Sequence, residues 1–91
     1  MTITDVKVRL LTENDKLKAV ASVTFDECFV IHDIKVIGIS DSLFISMPSR
    51  KGKDGQFKDI AHPINAEMRE RLSNEILKEY KLLVAQQENQ I

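Results

Sequence analysis

The 91-residue sequence contains no tryptophan, one cysteine, two prolines and three glycines. The lone Cys28 excludes an internal disulfide and a cysteine-based zinc cluster, and suits a reducing compartment. No apolar run approaches the ~18 residues that a membrane helix needs, and no basic-then-apolar leader opens the chain. The expectation is a cytoplasmic protein that neither spans a membrane nor is secreted. There is no glycine-rich phosphate loop and no H-E-x-x-H pattern. Aromatics are limited to Phe25, Phe29, Phe44, Phe57 and Tyr80. Base-stacking platforms need exposed aromatics, and only Phe57 lies beside a basic segment. A net charge of −1 gives no global attraction to nucleic acid, so any such binding must come from a local patch. The length fits one domain with a modest core, burying about 60–65% of the unfolded chain's surface. A chain this small gains much from a second copy.

What is present is patterned. From Met1 to Leu11, Val6, Val8 and Leu10 alternate with Lys7 and Arg9, the period of two of a strand with one packed face. Thr12 to Lys16 reads as a turn around Asn14-Asp15. Leu17 to Phe25 predicts a second strand, with Leu17, Ala19, Ala21, Val23 and Phe25 on one face. Asp26-Glu27 is a turn lacking the glycine that tight hairpins prefer. Cys28 to Ile39 predicts a central strand, with Phe29, Ile31 and Ile37 on one face and Val30, Ile34 and Val36 on the other. Gly38 to Ser42 turns. Leu43 to Met47 is a short apolar strand whose pairing ends at Pro48, as suits an edge. Gln56 to Ala61 can form a fifth strand, which makes Arg50 to Gly55 a hairpin tip.

Asn65 is a good N-cap, Pro63 marks a boundary, and Glu67 suits the positive end of a helix dipole. From about Ala66 to Gln86, Met68, Leu72, Ile76, Tyr80, Leu83 and Val84 recur at helical spacing, and Leu77 widens the stripe. Such a helix spans roughly 31 Å, enough to cover a small sheet. The tail from Gln87 to Ile91 is expected to fray. The predicted fold is α+β: an antiparallel sheet of four to five strands, then one long C-terminal helix, in a single homodimeric domain.

The chemistry-bearing stretch is Arg50 to Lys58. Arg50, Lys51, Lys53 and Lys58 are four cations opposed only by Asp54, with Gly52 and Gly55 allowing close backbone approach to a phosphate. Arginine can grip phosphate or a guanine edge through two bonds, and lysine makes point contacts. From spacing alone a solvated hairpin tip is the simpler account. Arg69 and Arg71, just after this segment, join the candidates, although mixed charge on a helix is usually a solvent face. Cys28, His32, Asp33 and His62 make a poor metal or catalytic set. Cys28 and His32 lie four strand steps apart, about 13 Å, too far to share a zinc bound at about 2.0–2.3 Å. Asp33 is expected on the face opposite His32, and His62 is expected to pack or cap at the corner before the helix.

The wording Phe44-Ile45-Ser46-Met47-Pro48-Ser49-Arg50-Lys51, followed by Asp54-Gly55-Gln56-Phe57-Lys58-Asp59-Ile60-Ala61-His62-Pro63-Ile64-Asn65, resembles the sporulation protein G (SpoVG) family. Thr24-Phe25-Asp26-Glu27 and the run from Phe29 to Ile37 fit the same pattern, and the resemblance extends from about Ile3 to Tyr80. It implies a cytoplasmic regulator that binds DNA, with RNA left open, and influences the expression of other genes. Taken with the charge pattern, the expected contacts of a non-enzymatic homodimer are Arg50, Lys51, Lys53, Lys58, Arg69 and Arg71, with no cofactor, metal, membrane or small-molecule substrate expected. The competing expectation is a protein-interaction module whose basic loop docks an acidic protein partner.

Overall fold

The computed structural model describes residues 1–11 and 15–88. Strands β1 (Ile3–Leu10), β2 (Leu17–Phe25), β3 (Phe29–Ile39) and β4 (Ser42–Ser46) form one antiparallel sheet in chain order. Helix α1 (Ala66–Glu88) packs on one face of it. Between them, β5 (Ser49–Lys51) and β6 (Phe57–Asp59) pair as a separate two-stranded ribbon. The predicted fifth strand therefore exists but does not join the main sheet. Its partner is the short strand that follows Pro48.

Alternation decides which residues enter the core. Ala19, Ala21, Val23 and Phe25 of β2 are buried, as their period of two requires. Ile34 and Val36 of β3 complete the sheet side, and Leu72 and Ile76 of α1 close over it. Full burial of each of these two helix side chains is worth about 1.5–3 kcal/mol relative to exposure. Val6, Val8 and Leu10 flank the core from β1, and Leu43 and Ile45 from β4. Met68, Leu77 and Tyr80 widen the helix stripe as expected. The helix starts at an N-cap: the Met68 amide donates to Asn65 Oδ1 at 2.7 Å, satisfying a backbone donor that the first turn leaves unpaired. The predicted turn residues 12–14 and the last residues of the tail lie outside the described residues.

Among the described residues, three register shifts interrupt the main sheet, one of them between Ile3 and Asp5 in β1, and the two between β2 and β3 redistribute side chains between the faces. Val23 pairs with Ile31 but Ala21 pairs with Ile34, so β3 carries one extra residue there. Asp33 absorbs it at a positive φ of 63°, a region Asp tolerates better than most residues. Ile31 therefore packs on the core with Ile34 and Val36, not on the face of Ile37. Asp33 does not oppose His32. Both line the same recess on the outer side of the sheet. A second shift between Leu17 and Ala19 takes Leu17 out of the β2 alternation.

The β2–β3 and β3–β4 hairpin turns manage without glycine. Asp26 and Glu27 hold φ values of 51° and 57°, with the Cys28 amide donating to the Phe25 carbonyl at 3.0 Å. Ser40 and Asp41, at 48° and 68°, make the corresponding turn between β3 and β4. Positive φ at both central positions is the turn that follows the right-handed twist of the strands. The first turn is buttressed from β1: Asp26 Oδ1 accepts from the Thr2 amide at 2.9 Å, and Thr4 Oγ1 accepts from the Glu27 amide at 3.0 Å. Gly38, expected in the turn, is in β3 opposite Leu43. Its missing Cβ makes room for the Lys18 stem, whose Cε would lie 2.9 Å from a Cβ at that position.

Candidate nucleic-acid interface

Pro48 cannot donate a ladder bond, so β4 stops and the chain leaves the main sheet. The Pro48 carbonyl accepts from the Ile60 amide at 2.7 Å, which clamps the base of the ribbon. Within it Ser49 pairs with Asp59, Arg50 with Lys58, and Lys51 with Phe57. The tip is a turn over residues 52–55. The Gly55 amide donates to the Gly52 carbonyl at 3.1 Å, and the Gly52 amide to the Gln56 carbonyl at 2.8 Å. Gly55 sits at φ 82°, so glycine is needed there, and Asp54 Oδ1 fixes the turn by accepting from the Gln56 amide at 3.0 Å. Asp54, the one acidic residue between the four cations, is thus committed to the turn.

All six strand residues of the ribbon are exposed. Pairing and alternation put Arg50 and Lys58 on one face, and Lys51, Phe57, Ser49 and Asp59 on the other. Asp59 lines a recess with Ile45, Met47, His62, Pro63 and Arg69, so the base of that second face meets the body. Arg50 and Lys58 turn away from it. Like charges directly opposite in a sheet destabilise the pairing, and no intramolecular carboxylate relieves these two among the described residues. Lys53 stands at the exposed tip.

The fold brings Arg69 to the base of the ribbon but separates Arg71 from the group. Arg71 lies on another side of α1, where its guanidinium is 3.6 Å from Glu67, and it also borders Glu70 and Glu75. His62 is exposed at the corner, its Nδ1 donating to the Pro63 carbonyl at 3.1 Å. Three large apolar side chains in β6 and the segment after it are open to solvent: Phe57 is 70% exposed, Ile60 69% and Ile64 90%.

A second group escaped sequence reasoning. The face of the main sheet opposite α1 carries Lys7, Arg9 and Lys35, with Ser22 Oγ and His32 Nδ1 2.9 Å apart between the strands. The signal for Lys7 and Arg9 was legible, since they alternate with core residues. The meeting of Ser22 and His32 depends on the bulge at Asp33, which the sequence does not announce.

Residues 1–82 match the SpoVG family model. A protein of Thermoanaerobacter pseudethanolicus that carries the name "Putative septation protein SpoVG" is 64% identical over 81 residues, 89% of this chain and 88% of its own length. Proteins of the same name from Clostridioides difficile and Clostridium acetobutylicum are 57% and 56% identical, each over 88 residues and 97% of this chain, covering 96% and 93% of their own lengths. With a match over nearly the whole described sheet and helix, this chain belongs to the SpoVG family.

Proposed function

We propose that this protein is a cytoplasmic, non-enzymatic regulator that binds nucleic acid as a homodimer, with duplex DNA, held by the β5–β6 ribbon, as its main ligand and RNA as a further one. The observation that carries this is the Arg50–Lys58 pair. Two cations held opposite each other on an exposed ribbon oppose its folding, and an anion placed between them turns that repulsion into attraction. The size of the element suits the ligand. A two-stranded ribbon fits the major groove of B-DNA, about 12 Å wide. Lys51 and Lys53 add point charge along the same ribbon, and Arg69 extends the basic surface to its base.

Two features support a second copy. Strand β4 is an edge with unpaired backbone groups, and edges of this kind invite pairing unless covered. Ile64, Phe57 and Ile60 are far more exposed than apolar residues of their size usually are, and they lie close together in the chain, within β6 and just after it. A symmetric dimer displays the basic ribbon twice. The name of the relatives points to septation, which a regulator of gene expression can influence.

The same exposed apolar cluster favours one competing reading, a module that docks an acidic protein through the ribbon. Titration of a labelled 20-base-pair duplex separates the two. Binding by the wild type, weakened in the Arg50→Ala, Lys51→Ala variant with the fold intact, supports the nucleic-acid reading. A wild type that ignores duplex and single strands at low salt overturns it.

A further inference from the structure

We propose that the open face of the four-stranded sheet is a second polyanion site, built for single-stranded nucleic acid and distinct from the ribbon. The proposal deepens the nucleic-acid reading and rests on it. Four strands at a spacing of about 4.8 Å make a surface roughly 14 Å across from backbone to backbone. With side chains added, that is too broad to enter a major groove about 12 Å wide. A flexible single strand has no such restriction and can lie across a sheet.

The chemistry of the face fits that occupant. Arg9, Val20 and Lys35 form one cross-strand row, and Lys7 pairs with Ser22 in the next. Arg9 and Lys35 are therefore about 10 Å apart at the backbone, and Lys7 and Arg9 about 7 Å. Among the described residues none of the three cations has a carboxylate within ion-pairing distance. The acidic groups on this side, Asp5 and Asp33, leave them unpaired. Between the rows is a recess of about 510 Å³ bordered by Lys7, Arg9, Ser22, His32 and Asp33.

The bulge supplies an independent observation. Asp33 is held at φ 63°, and bulges often re-aim side chains beside functional sites. Here it sets His32 against Ser22, whose Oγ lies 2.9 Å from Nδ1. That hydrogen bond orients the exposed ring, whose Nε2 stays available to a ligand. Phosphate oxygens then meet Lys7, Arg9 and Lys35 as charges and His32 as a directed hydrogen bond. Phe44, half-exposed on the same side of β4 opposite Ile37, offers one apolar ring for a base.

The test is fluorescence anisotropy with three probes at one salt concentration: a 20-nucleotide oligo-dT, a 20-nucleotide oligo-U and a 20-base-pair duplex. The Lys7→Ala, Arg9→Ala, Lys35→Ala variant should bind both single strands at least about tenfold more weakly and the duplex within about threefold of wild type. The Arg50→Ala, Lys51→Ala variant should show the opposite pattern. In the wild type, the His32 ring resonances should move on adding oligo-dT and stay in place with duplex, a readout that needs no variant. Unchanged single-strand affinity in the sheet variant, or equal loss for all three probes, overturns the second site and leaves the ribbon standing. A wild type that binds no probe removes the ribbon reading together with this one.

Discussion

Replacing Lys58 by Glu asks one residue to reveal both its structural and its functional role. Lys58 faces Arg50 across the ribbon, so the substitution exchanges a repulsive cross-strand pair for an attractive one. Such pairs are worth about 0.2–1 kcal/mol, and both partners are exposed and screened, so a net gain of about 0.5–1 kcal/mol is expected. The gain is local, since the ribbon contributes nothing to the buried core. It should appear as slower hydrogen exchange at the amides of Gly52 and Ile60, which close the tip and base of the ribbon by bonds of 2.8 and 2.7 Å. A factor of about two to five in protection corresponds to that energy. Duplex affinity should move the other way, falling at least about tenfold near 0.1 M salt, because a dimer loses two cations and gains two anions. A more stable ribbon with undiminished affinity would refute the idea that the pair exists to meet an anion. A less stable ribbon would refute the pairing argument itself.

The remaining expectations concern fold and assembly. Ile76→Ala, at a fully buried position facing the sheet, should lower stability by about 2–5 kcal/mol in denaturant melts, while exposed Gln86→Ala should change it by less than about 0.5 kcal/mol. Asn65→Ala removes the bond to the Met68 amide and should cost about 0.5–2 kcal/mol in the same assay. Light scattering at micromolar concentration should give the mass of two chains, and Ile64→Lys at the most exposed of the large apolar side chains should shift it toward one.

Much of the fold was legible because period and punctuation agreed. The alternation in Val6, Val8 and Leu10, the run from Ala19 to Phe25, and the helical recurrence of Met68, Leu72 and Ile76 all pack as their spacing requires. Asn65 also caps the helix it was expected to start. What the sequence did not reveal came from single-residue irregularities. One extra residue at Asp33 reverses the face of everything on one side of it in β3, and nothing in Ile31-His32-Asp33-Ile34 marks where the extra residue falls. The turns at Asp26-Glu27 and Ser40-Asp41 fell within expected turn segments, but their geometry was not legible, because Asp, Glu and Ser rarely occupy positive φ together. Gly38 misled for the opposite reason, since it stands inside β3 beside the Lys18 stem and not in a turn. The four cations of the ribbon were legible as a cluster, but their arrangement was not. That Arg50 opposes Lys58, and that Arg71 turns away to Glu67, depends on register and helix phase.

The salt dependence of duplex binding tests the central claim most directly. A dimer that neutralises about four to eight phosphates through its two ribbons should show log K falling with log salt at a slope near −4 to −7. In the Arg50→Ala, Lys51→Ala variant the slope should become shallower by about 2–4, with melting and dimer mass unchanged. Lys78→Ala with Lys81→Ala removes the same charge from exposed positions of α1 and should leave the slope as it was. An unchanged slope in the ribbon variant, with a shallower one in the helix control, would move the binding surface to α1 and contradict the role assigned to Arg50 and Lys51.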